Sequence, residues 1–176
     1  PTQRKLSIGD RSGPVRVLGG AGTGKTVLAM HRAKWLAENR LATLERYRGL
    51  HREALGARII VWPESAIPML AHEATVFLES IRQESRARDS DVMIGLLQFD
   101  FDTAEIRNGL YSMSEAGDGW YFKRQLVPFG EFFPVPAFVR RWMRLMSLPY
   151  YDMTPGDVDQ PTLAAGGQRL AATICY

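Results

Sequence analysis

Apolar and polar residues fall along this chain in blocks whose period changes several times. "ARIIVWPE" (57–64) is a compact apolar run stopped by Pro63, the pattern of a buried strand. "IPMLAHEATVFLESIRQESRA" (67–87) sets Leu70, Ala74, Phe77, Leu78 and Ile81 at helical spacing. "DVMIGLLQFD" (91–100) is a second buried strand, so 58–99 predicts a strand–helix–strand unit with parallel pairing. "NGLYSMSEAGDGWYFKRQL" (108–126) predicts a hairpin turning at "EAGDG". A proline-rich loop "VPFGEFFPVP", a short helix "AFVRRWMRLM" and a loop "PYYDMTPGDVDQP" follow, and "QRLAATICY" (168–176) closes the chain as a strand. Upstream, Pro14 to Leu18 predicts a short strand leading into a glycine loop. Residues 25–55, rich in Ala, Leu, Glu and Arg and free of proline, predict helix over most of their length, with Asn39 as a candidate break.

Composition narrows this picture. A chain of 176 residues, 45% hydrophobic, buries one proper core. A charged content of 23% is that of an ordinary globular domain and excludes wholesale disorder. The net charge of +3 is unevenly spread: residues 1–58 carry 12 Lys+Arg against 4 Asp+Glu, and residues 59–176 carry 10 against 15. Two segments of different history, a basic face for an anionic partner, or a solvated basic helix around 32–58 would each produce that asymmetry. The single cysteine, Cys175, excludes an internal disulfide. No stretch approaches the ~20 apolar residues needed to span a bilayer, no secretion signal opens the sequence, and Pro1 follows no start methionine, so the chain reads as an excerpt of a longer product.

The glycine loop is "GGAGTGKT" (19–26), which fits the phosphate-loop pattern through Gly19, Gly24, Lys25 and Thr26, with Gly22 between them. Glycines let successive N–H groups turn toward one anion, a lysine reaches the outer phosphates and a threonine hydroxyl holds Mg²⁺. With Gln3 at the place of an adenine-reading glutamine, residues 1–33 resemble the opening of superfamily I DNA helicases, which implies ATP and Mg²⁺ as ligands if the piece is functional. A working enzyme of that kind needs a second apolar strand ending in an acidic residue. The nearest, ending at Asp100, is better explained by a second resemblance, and nucleic acid is not the expected partner.

Three strings carry that second resemblance: "IIVWPESAIP" (59–68), "YFKRQLVPFGEFFP" (121–134) and "ICY" (174–176). Together they resemble the nitrilase-like domain of apolipoprotein N-acyltransferases over about 34–176, with "KWLAENRLATLERYRGL" similar to that family's lead-in. The implied fold is α/β, a partial nitrilase-like mixed sheet flanked by helices in an α-β-β-α sandwich, preceded by the strand–P-loop–helix piece. The seam between the two resemblances falls near residues 31–40. The resemblance implies a catalytic set of Glu64, Lys123 and Cys175, with Glu131 as a further glutamate, and substrate contacts at Trp35 and Tyr176. It also implies a phospholipid acyl donor, a lipoprotein acceptor, no cofactor for acyl transfer, and a membrane-anchored enzyme facing the bacterial periplasm.

The residue types suit that chemistry. A thiol attacks an acyl carbon as thiolate, and an ordinary cysteine near pKa ~8.5 is mostly protonated at neutral pH. Glu64, placed after a buried strand and behind a rigid proline, is the candidate general base. Lys123 as a cation can lower the thiol pKa and stabilise an oxyanion. Glu131 can orient Lys123 or serve the oxyanion region. The implied reaction is ping-pong through a Cys175 thioester. Structural alternatives remain for each: Cys175 as an inert core thiol, Glu64 as a helix cap, Lys123 as a solvated strand end, and "FVRRWMRLM" as either a membrane-interface helix or a packed one. The family's transmembrane bundle and the acidic residue and strands that follow its cysteine have no counterpart in the sequence, so the chain by itself is expected to be inactive. An amidase or nitrilase of the carbon–nitrogen hydrolase superfamily, and an ATP-binding DNA helicase fragment, are the alternatives.

Overall fold

In the computed structural model, residues 40–136, 138–139 and 152–175 are described. The chain divides into two units, Pro1–Leu50 and His51–Tyr176, and the strands among the described residues lie in the second. Helix α1 (Arg40–Ala54) is built from good helix formers and ends where Gly56 takes φ +96°. After it come β1 (Ile59–Val61), α2 (Thr75–Arg86), β2 (Asp91–Asp100), β3 (Glu105–Met113), β4 (Gly119–Phe122), β5 (Leu163–Ala165) and β6 (Gln168–Leu170).

Four strands form one mixed sheet in the order β1-β2-β3-β4. β1 and β2 run parallel, Ile60 opposite Val92, joined through α2 as the apolar blocks predict. β2, β3 and β4 form an antiparallel meander whose β3–β4 turn is the expected "EAGDG" segment. Val92 through Leu96 are buried without interruption, because β2 is covered on both faces. Helix α2 presses Leu78 and Ile81 inward on one side. On the other, the β5–β6 hairpin packs Leu163 and Ala165 against Met93, with Ile59, Leu110 and Tyr121 around them.

Period-2 alternation then decides which side chains share a face. The register sets Met93 opposite Ser112, Gly95 opposite Leu110, and Leu97 opposite Asn108, and Leu110 lies opposite Tyr121. All of these lie on the sheet face that also carries the hairpin, and the Ser112 hydroxyl donates to the Ala164 carbonyl across that layer at 2.5 Å. One step past Phe122, Lys123 continues the same row: its backbone N–H donates to the Asn108 carbonyl at 2.8 Å. Tyr111, Trp120 and Phe122 point to the α2 side instead, where the rings stack in series and Arg82 binds Asp118 and Tyr111. The free edge of β4 is closed by a side chain. Gln160 accepts the Phe122 N–H at 2.7 Å and donates to the Phe122 carbonyl at 2.8 Å.

Three expectations need correction. The helix foreseen from residue 67 begins at Thr75, because Leu70 forms a bridge to Leu97 and the Ala71 N–H donates to the Leu97 carbonyl at 2.8 Å, holding that approach in turns. The closing strand foreseen over 168–176 stops at Leu170, since residues 171–175 meet no partner strand among the described residues, and strand propensity alone does not make a strand. The hairpin made with β5 was not foreseen, although "AAGGQ" carries its signal: Gly166 and Gly167 take φ +58° and +71°, as a tight primed turn requires.

Pro63 and Glu64 cross the sheet directly over Gly95. A Cβ there would sit 2.7 Å from Glu64 Cα and collide with the Pro63 carbonyl. Gly95→Ala is therefore expected to lower the unfolding free energy by about 1–3 kcal/mol through overpacking. Gly49→Ala, in open space on α1, should raise it by about 0.5–1 kcal/mol. Urea unfolding of both variants checks the pair, and equal effects would show that Gly95 is not a close-approach position.

Candidate active site

Lys123 is 2% exposed, an unusual place for an ammonium, and it is held there by two carboxylates. Its Nζ donates to Glu64 Oε1 and to Glu131 Oε1, each at 2.9 Å. The sequence places the three on different supports. Glu64 follows β1 and is lifted over Gly95, and Lys123 leaves the end of β4. Glu131 returns from a tight turn in which its own N–H donates to the Val127 carbonyl at 2.9 Å. Its Oε2 in turn accepts the Val127 N–H at 2.8 Å, and its carbonyl accepts the Met153 N–H at 2.8 Å.

Asn108, 2% exposed on β3, completes the cluster, and sequence reasoning missed it. Its Nδ2 donates to Glu64 Oε1 at 2.7 Å and to Glu131 Oε1 at 3.1 Å. The available signal was an amide at a hairpin-facing position of β3, in line with Leu110 and Ser112.

Burial pulls the Lys123 ammonium toward deprotonation, but the hydrogen bonds and negative charges of Glu131 and Glu64 outweigh it and hold its pKa above the ordinary lysine value. For Glu131 the balance runs the same way. Burial opposes ionisation, yet donation from Lys123, the Val127 N–H and Asn108 holds its carboxyl below the usual range. With two carboxylates and one ammonium the cluster carries a net negative charge, which suits it to receive a proton. Three of the four carboxylate oxygens are engaged. Among the described residues nothing donates to Glu64 Oε2, and the Glu64 side chain is 39% exposed, so one acceptor faces outward.

Cys175 is an exposed free thiol. No hydrogen bond among the described residues joins it to Glu64, Lys123 or Glu131. Its backbone takes φ +50°, in the left-handed region that a non-glycine residue rarely enters. Ser65 (φ +50°) and Phe129 (φ +62°) share that conformation, so three of the five such residues described lie at or within two positions of Glu64, Glu131 or Cys175. Trp35, Tyr176, Gln3 and the loop residues Gly19, Gly22, Gly24, Lys25 and Thr26 lie outside the described residues, as does most of "FVRRWMRLM". Among the described residues there is no cluster of metal-ligating side chains and no helix long and apolar enough to cross a membrane.

A mixed four-stranded sheet covered by α2 on one face and by the β5–β6 hairpin on the other matches the nitrilase-like carbon–nitrogen hydrolase fold. The chain superimposes on a crystal structure of a carbon–nitrogen hydrolase from Helicobacter pylori with a TM-score of 0.52 at 16% identity, covering 77% of this chain and 47% of that one. In sequence it is similar to apolipoprotein N-acyltransferases: 35% identical over 144 residues to that of Methylococcus capsulatus, 34% over 145 to that of Coxiella burnetii, and 37% over 152 to that of Photobacterium profundum. These alignments cover 81–82% of this chain but only 28–30% of each relative, so the chain spans less than a third of their length. No protein-family model matches the chain. The helicase-like reading of residues 1–33 gains no support from these relatives.

The cluster makes the stability of the domain depend on pH at both ends. Glu131 contributes fully above its unfolded pKa of about 4.3, and the contribution is lost as pH falls through its lower folded value. Lys123 contributes below about 10.4 and is lost only as pH rises through its higher folded value. Glu131→Gln is thus expected to cost about 3 kcal/mol at pH 7, with the gap to the parent closing as pH falls below about 4. Chemical denaturation of both chains between pH 3 and 8 checks this; a pH-independent gap would mean that the charge is not what holds the site.

Proposed function

We propose that the chain is the catalytic part of an apolipoprotein N-acyltransferase, working through a cysteine thioester. The observation that carries this reading is the buried Lys123 bracketed by Glu64 and Glu131, with a Glu64 side chain that is partly exposed and whose Oε2 accepts no hydrogen bond among the described residues. It is supported by relatives that carry that name at 34–37% identity.

In the proposed reaction Glu64 takes the Cys175 proton through its free oxygen. The thiolate attacks the ester carbonyl of a phospholipid, the C–S bond forms, and the C–O bond to the glycerol breaks. The alkoxide of the departing lysophospholipid takes the proton from Glu64. The amine of a lipoprotein N-terminus then attacks the thioester, the amide C–N bond forms as the C–S bond breaks, and the amine's proton restores the thiol. Lys123 stays protonated throughout and stabilises the oxyanion of each tetrahedral intermediate. Glu131, with both oxygens occupied, anchors Lys123 rather than exchanging protons. The amine and the acyl ester are already activated by position and thioester chemistry, so no ATP enters the cycle. A domain with these substrates works at a membrane surface, facing the compartment that holds the lipoprotein.

The test is the first half-reaction. Full transfer to a lipoprotein amine is not expected of this chain by itself, but incubated with phospholipid carrying a labelled acyl chain in mixed micelles it should acquire a hydroxylamine-sensitive label at Cys175. Cys175→Ala should acquire none, and Glu64→Gln should label at least a hundredfold more slowly, the usual scale for a lost general base. Labelling by a small soluble amide in preference to phospholipid would transfer the reading to the amidase branch. Equal labelling of Cys175→Ala would end it.

A further inference from the structure

The acid–amine–acid cluster leaves one member without a role. Asn108 is neither acid, base nor cation, yet it is as buried as Lys123 and stands at the centre of the group. Its two amide hydrogens go to two different carboxylates, Glu64 at 2.7 Å and Glu131 at 3.1 Å, and both reach the oxygen that Lys123 also holds. The four groups form a closed ring: ammonium, Glu64 Oε1, amide nitrogen, Glu131 Oε1. Turning the amide over would set its carbonyl oxygen against two carboxylate oxygens, so electrostatics fixes which edge faces the ring. The backbone locks the same pair a second time, since the Lys123 N–H donates to the Asn108 carbonyl.

We propose that Asn108 is a positioning residue of this site, whose side-chain amide ties Oε1 of Glu64 to Oε1 of Glu131 and so leaves Oε2 of Glu64 as the oxygen that receives the thiol proton. The role of Glu64 in that sentence rests on the acyltransferase reading; the tie itself does not. A lysine alone would not achieve it. Its ammonium rotates freely and can pair with either oxygen of each carboxylate, whereas the planar amide offers two donors at a fixed angle from a rigid strand. Asn108 also spaces two like charges that would otherwise repel across the ammonium. No other charged side chain described donates to the ring. Arg107, the neighbour on β3, points to the opposite face by alternation and pairs with Glu105 at 2.8 Å.

Side-chain carboxyl titration by carbon-13 NMR tests the tie without any substrate, with Glu64→Gln and Glu131→Gln assigning the two resonances. In Asn108→Ala each glutamate loses a donor to its charged form, so both midpoints should rise, by about half a unit or more. In Asn108→Asp, which keeps the volume and fold of the site, a third carboxyl enters the ring. One proton should then be retained among the three groups to at least about one unit above the ordinary glutamate value. Midpoints within about 0.2 of the parent in both variants would overturn the proposal and reduce Asn108 to a packing residue. The pH profile of Cys175 acylation should move with the titration. Shifted midpoints in a chain that never acylates Cys175 would overturn the acyltransferase reading and leave the tie standing. Acylation with an unmoved profile in Asn108→Ala would do the reverse.

Discussion

An ammonium removed from water must find its solvation in the protein, and at Lys123 that requirement organises everything nearby. Taking a charge out of water costs several kcal/mol unless partners replace the lost hydration. Two carboxylates at 2.9 Å supply the replacement, and they come from segments 59 residues upstream and 8 residues downstream in sequence. Holding them there demands that the chain after β1 pass over β2 and that the 127–132 turn fold back on itself. The site is therefore not an ornament on a finished fold; the ends of β1 and β4 are where they are because the cation between them needs both.

The geometry also separates two glutamates that composition makes identical. Glu131 is saturated by Lys123, Asn108 and the Val127 N–H, while Glu64 is partly exposed and one of its oxygens accepts nothing among the described residues. Chemical roles follow from that difference in occupancy rather than from residue type. The left-handed backbone at Ser65 and Phe129, within two positions of the two acids, shows that their placement is imposed on the chain rather than locally preferred.

Much of this was legible beforehand. The apolar runs at 59–61 and 91–100 gave their strands because each holds a compact apolar block, buried on both faces over Val92–Leu96. Glu64, Lys123 and Glu131 were named from the strings that contain them, and the structure brings those three together, though no hydrogen bond among the described residues joins them to Cys175. The parts missed share a cause: each depends on a partner distant in sequence. Asn108 looks like any strand residue until the β3–β4 register sets it beside Lys123, and the start of α2 is displaced by a bridge between Leu70 and Leu97 that local periodicity cannot contain. Strand β6 stops where its partner stops. Only the Gly166–Gly167 turn was readable and overlooked.

The Gln160 amide on the outer edge of β4 has a consequence beyond filling two hydrogen bonds. Sheets of period 2 have a simple failure mode: sliding one strand by a single residue inverts every side chain on it. At the end of β4 that slip would carry the buried cation through the plane of the sheet to the aromatic side, and bring Phe122 among the acids in its place. By clasping the N–H and the carbonyl of Phe122 together, one side chain acts as a ratchet pawl on the last tooth of the strand, and the polarity of the two faces is preserved at the point where an error would be most damaging.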